Sequence, residues 1–306
     1  MDLYIDGNIA QMFSPAGAVQ YFARLLGVDS RSLRPTLSQE QPHAFFITSQ
    51  AVYAGAQGAH PSHAIDGRPL DYAISQAGTI IPQRLWSPTN ATDALRFANL
   101  SLNMPIFFVR NDRTTMGLPL TRAVEPWGAH ETLLGAGDMA PVGNCSTTYI
   151  RIDVSSLSMA KHLRLEVMLL KFLVFQWPGY GDWSSQIMTR DQTVAHNTIT
   201  LAKFAKRVAN AVVRFLDVSN PFVLRALRGL EQFNGHSHFP TAPTSFLVQE
   251  AEQLQWQNPN WWIGAGGITK EDVILVGVVH VSQGSWQPIL QLNRYVVPRC
   301  HIPGLP

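Results

Sequence analysis

Two histidines one residue apart, His236 and His238 in FNGHSHFP (233–240), are residue types from which a metal centre can begin. On extended backbone both side chains would face the same way, because side chains alternate along a strand. A zinc site needs three or four ligands, and further ones would have to come from His60 or His63 in HPSH, from His280, or from Asp66. Nothing in the spacing brings any of these near the pair. H-E-x-x-H and C-x-x-C are absent, and His301, beside Cys300, is the one histidine within four residues of either cysteine, Cys145 or Cys300. The expectation is a loop that carries two histidines, with no metal and no cofactor.

Nucleophile and phosphate motifs are weaker still. GDWSSQ (181–186) lacks the G-x-S-x-G spacing that sets a serine on a strained strand-to-helix turn. GAGG (264–267) follows NPNWW and precedes a strand-like segment, whereas a phosphate-binding glycine loop follows a strand and opens a helix. Its glycines read as turn residues. Asp66, Asp71 and Asp138 fall in loops, where spacing says nothing of the geometry that acid-base chemistry needs.

A basic stripe is the best candidate for contact with another molecule. In LAKFAKRVANAVVRFL (201–216), at about 100° per residue, Leu201, Phe204, Val208, Val212 and Phe215 share one side. Lys203, Lys206, Arg207, Asn210 and Arg214 share the other, and Arg225 and Arg228 follow in the next predicted helix. Such a row could meet phosphates without reading base sequence. It is equally what the solvated face of any surface helix looks like. Trp256, Trp261 and Trp262 crowd into WQNPNWW, and tryptophans beside a loop either pack under it or meet a partner. These three are the candidate interface residues.

The elements that must position these groups are unevenly marked. Ser14 as N-cap, Pro15 at the first helical position, apolar Val19, Phe22 and Leu26, and Gly27 as the stop predict a first helix. Eleven of the 20 prolines precede residue 150, so the first half is expected to be short pieces joined by turns. Strand-like runs occur at HAFFITSQAVYA, NMPIFFVR and TTYIRIDV, and HLRLEVMLLKFLVFQW (162–177) alternates before turning wholly apolar. After the Leu201 helix, Pro221 could open a second helix through PFVLRALRGLEQF, and a third is expected from about Ser245 to Trp256. EDVILVGVVHVSQGSWQPILQLNRYVVPR predicts two long strands turning at 282–284, with Pro288 marking an edge or a bulge.

Together these predict an α+β protein in one integrated unit over 1–306. The framework would be a β-sandwich or jelly-roll-like set of strands, strand- and loop-rich over 28–178, helical over 185–256, and closed by a C-terminal strand hairpin over 270–299.

Composition then bears on function. Hydrophobic residues make up 46% of the 306, enough for a large core, while charged residues make up 14%, against roughly 25% in average soluble domains. Five of the 23 basic residues are lysine and the other 18 arginine, a bias shared by protein interfaces and by some genome compositions. A net charge of +2 gives no strong overall attraction to nucleic acid or membrane. MDLYIDGNIA has no basic n-region, and no apolar run reaches the roughly 18 residues of a membrane helix. Asn90, Asn99 and Asn144 match the glycosylation sequon by chance on that reading, and two cysteines make no disulfide framework.

The expectation is a non-enzymatic, self-assembling structural protein, most concretely a viral capsid or outer-shell subunit, as around double-stranded RNA. Its partners would be copies of itself and other shell proteins, with at most weak non-specific contact to nucleic acid. It would sit in the virion, assembled in the host cytoplasm. An enzyme using loop His and Asp residues, and a non-sequence-specific nucleic-acid-binding protein, are the rivals.

Overall fold

The computed structural model describes residues 2–4, 7–27, 29–32, 34–36, 64–65, 68–69, 78–87, 102–112, 115–142, 146–152, 180, 183–191, 196–220, 261–282 and 284–296. In chain order these form β1 (Asp2–Tyr4), α1 (Asn8–Leu26), β2 (Arg34–Thr36), β3 (Ala64–Ile65), β4 (Arg68–Pro69), β5 (Thr79–Ile80), β6 (Ile106–Phe107) and β7 (Leu118–Pro119). There follow α2 (Leu120–Val124), α3 (Gly128–Thr132), β8 (Thr147–Ile152), β9 (Trp183–Met188), α4 (Leu201–Val218), β10 (Val273–Ser282) and β11 (Ser285–Leu292). His236, His238, Trp256, both cysteines and the helices expected after Pro221 lie outside the described residues.

A seven-stranded mixed sheet organises the chain, in the order β6-β10-β11-β8-β9, with β7 also on β10 and β5 also on β11. The C-terminal hairpin β10–β11 is its centre. Both strands are buried along their whole length, which is why VILVGVVHV reads as continuously apolar instead of alternating. Gly277 is needed there: a Cβ would lie 2.5 Å from the Ile106 carbonyl oxygen, so the close approach of β6 depends on its absence.

The two faces of the sheet bury separate cores. Ile274, Val276, Val279, Val281 and Ile289 pack with Ile9, Met12, Phe13, Tyr21 and Phe22 of α1. Leu275, Val278, Trp286, Leu290 and Leu292, with Ile150, Ile152 and Ile187, pack with α2, α3 and α4. The observed class is mixed α and β, and among the described residues helices cover both faces of the large sheet.

Pro288 lies in a central strand, not at an outer edge. Its tolerance is local. On the side of β11 away from β10, β8 pairs at residues 285–286 and β5 at 291–292, leaving a gap at 288. The Gln83 side chain fills that gap, its amide donating to the Pro288 carbonyl at 2.7 Å, so no ladder bond needs the missing N–H. Buried Gln287 completes the clamp, accepting from Trp86 N–H at 2.8 Å and donating to the Arg84 carbonyl at 2.9 Å.

Two expected boundaries change. Helical residues begin at Asn8, and Ser14 interrupts them at φ 67, ψ 163. Ser14 still caps the segment that follows, its Oγ accepting from Gly17 N–H at 3.4 Å, and Gly27 ends it in the left-handed conformation. The six residues before the break form an added helical piece whose Ile9, Met12 and Phe13 face the sheet. The helical span expected from 185 starts instead at Leu201, because Trp183–Met188 pairs as β9 along the whole of β8.

Candidate interaction surface

Helix α4 is where chemistry and exposure meet. Thr200 caps it, its hydroxyl accepting from Lys203 N–H at 3.4 Å, while Leu201 and Ala202 donate to the Asp138 and Ala136 carbonyls. Its leading N–H groups are thereby used internally, so this terminus is not an anion cradle. Leu201, Phe204, Val208, Val212 and Phe215 are buried as the period predicts. Small Ala202, Ala205, Ala209 and Ala211 are buried too, which lets neighbouring elements pack close to the axis.

The basic stripe divides on inspection. Lys203 and Arg214 are exposed, and Lys206 and Arg207 are half-buried. Arg207 is a clamp: its guanidinium donates to the Met188 carbonyl and, at 3.4 Å, to that of Arg190, holding the end of β9 against α4. Burial holds its pKa below the usual guanidinium value. Lys203, Lys206 and Arg214 have no ion pair among the described residues, and Lys203 and Arg214 are separated by about 16 Å of helix rise.

Exposed apolar side chains flank the same helix. Met139, 63% exposed, bridges to Thr200 at its start. Met188, 44% exposed, lies beside it at the end of β9, and Val218, 49% exposed, closes it. Sequence reasoning missed these three. WSSQIM has too little apolar alternation to mark Met188 as an outward strand position, and that residue falls in the span expected to be helical. Trp127, Tyr149 and Tyr295 are the other large exposed hydrophobic side chains among the described residues.

Trp261 and Trp262 are buried in the fold, at 3% and 4% exposure, and present no free aromatic face. The glycine run explains Trp262. Ile268 N–H donates to the Trp262 carbonyl at 2.6 Å and Gly264 N–H to that of Ile268 at 3.0 Å, closing a tight turn. Gly267 N–H bonds Gly264 in the same turn, so these donors are already engaged and do not await a phosphate. Just ahead in space, the Tyr180 hydroxyl accepts from Ile263 N–H at 3.0 Å, and burial pushes its pKa up to about 12.

Of the residues considered for a metal, His280 is engaged as an acceptor for the Asn103 N–H at 2.8 Å; Asp138, considered for acid-base chemistry, lends its backbone carbonyl to α4. Among the described residues no three His, Cys, Asp or Glu side chains cluster as a metal site would. No helix of the described residues is long and apolar enough to cross a membrane. The chain matches no family model, no curated protein and no solved structure.

Proposed function

We propose that the chain is a self-assembling structural subunit, most concretely of a viral capsid or outer shell, with the α4 surface as a contact between subunits. The observation that carries this reading is that exposed Met139, Met188 and Val218 lie along one helix, at its start, beside it and at its end. Methionine and arginine are enriched and charge is depleted at the centres of protein interfaces, and a chain that is 14% charged sets few charges among such side chains. A jelly-roll framework is not required: the central sheet with helices on both faces is the platform, and assembly depends on its surface. Its partners are copies of itself and other shell proteins, and its place is the virion, assembled in the host cytoplasm.

The test is light scattering of the purified chain over a concentration and salt series, with negative-stain imaging. Wild type forms trimers, sheets or closed particles, and the double variant M188E/V218E shifts to the smallest species with an unchanged circular dichroism spectrum. A wild-type monomer at every concentration, or equal assembly by the variant, overturns the reading.

Nucleic-acid contact stands as a second reading because Lys203, Lys206 and Arg214 form a row with no ion pair among the described residues.

A further inference from the structure

The turn end of the central hairpin holds a buried imidazole that three parts of the chain converge on. His280, 7% exposed, lies in β10 opposite Trp286 of β11, their ring centroids 4.7 Å apart. Its Nδ1 accepts the backbone N–H of Asn103, in the segment that leads into β6. From the other face of the sheet, Arg24 in the last turn of α1 donates through Nη2 to the Val281 carbonyl at 2.8 Å. The lead into β6 and the end of α1 are thus fastened at adjacent residues of one strand.

We propose that His280 is an acid-sensitive latch, which fastens the lead into β6 at neutral pH and on protonation releases it together with the end of α1. The geometry demands a neutral ring. Nδ1 can accept the Asn103 N–H only while it carries no proton; once protonated, two donors would face each other at hydrogen-bond distance. The new charge would also appear in a desolvated place within the field of Arg24.

The surroundings of the ring, taken element by element, favour neutrality. From α1 the charged group is Arg24, with the Tyr21 phenol acting on that guanidinium. From β11 Trp286 presents its ring, backed by Phe204 of α4. From the lead into β6 there is the Asn103 amide. Within β10 the backbone of Ser282 bonds the imidazole and favours the charged form, as does the indole face. Burial and Arg24 outweigh them: His280 is held well below the ordinary 6.5, at about 4.

Nitrogen-15 NMR of the histidines, with amide exchange from pH 7.5 to 3.5, tests this on the whole chain. The expected result is a neutral His280 protonated on Nε2, titrating near 4, with protection factors at Asn103 and the last turn of α1 falling at least tenfold through that titration. In H280Q, whose amide oxygen can accept the Asn103 N–H without titrating, the same amides keep their protection over the same range. R24Q, lacking the neighbouring charge, shifts the His280 midpoint upward. A ring that titrates near 6.5, or an acid loss of protection that H280Q shares in full, overturns the latch. Should H280Q not fold, the tautomer and midpoint in the wild-type chain and in R24Q decide the matter.

Discussion

Gly267 shows how much a single residue can hold. A Cβ there would lie 2.2 Å from the Trp262 carbonyl oxygen and 2.3 Å from its Cδ1, both far inside contact distance. The backbone cannot yield without opening the turn that covers Trp262. Gly267→Ala is expected to cost about 1–3 kcal/mol in urea unfolding, with the Trp262 environment changed in near-ultraviolet dichroism. Neighbouring Gly266, at φ 81, has nothing within 4 Å of its Cβ position, so its substitution loses conformational ease without a clash. His280 works at the same scale through its proton. Its folded pKa, about 4, lies below the ordinary 6.5, so the folded state binds fewer protons than the unfolded one between those values. The stability it contributes is complete above about pH 6.5 and is lost as pH falls toward 4, a total of about 3 kcal/mol at most. In H280Q that acid limb of the stability profile is missing.

At the scale of elements, α4 was the most legible part of the chain. An apolar row at helical spacing, a threonine ahead of it and no proline within it specify a helix whatever packs on it. Thr200→Ala removes the cap and is expected to cost about 1 kcal/mol, read as a lower urea midpoint at constant slope. The hairpin β10–β11 was legible for a similar reason, since a long β-branched run and a second apolar-rich run joined by a short turn leave few alternatives. Strand β9 was not. WSSQIM has little apolar alternation, and it is a strand because β8 offers it six consecutive partners. The start of α1 escaped for another reason: Pro15 marks a beginning, so the six helical residues ahead of it, separated by Ser14, looked like a lead-in.

For the molecule as a whole, the α4 surface decides between the assembly and nucleic-acid readings. The variant K203E/K206E/R214E leaves the Arg207 clamp intact and reverses charge within the proposed α4 contact, so on the assembly reading its particles by light scattering are smaller than those of wild type while RNA binding is unchanged. The 260/280 nm absorbance ratio and binding to a labelled RNA over a salt series then report on the charge row alone. If the row meets phosphates, affinity falls in the variant by about tenfold or more at low salt and its salt dependence flattens. Composition, local periods and caps are properties of contiguous residues. They therefore determined by themselves the mixed class, the C-terminal hairpin, the long basic helix and the low charge content. Only the tertiary structure decided that Arg207 serves β9, that Trp261 and Trp262 are core, that Gln83 makes room for Pro288 in a central strand, and that His280 meets Asn103. Each of these joins residues far apart in the chain, except the link from Arg207 to β9, and each depends on where a side chain points once helices close on both faces of the sheet. Spacing along a chain carries no information about that.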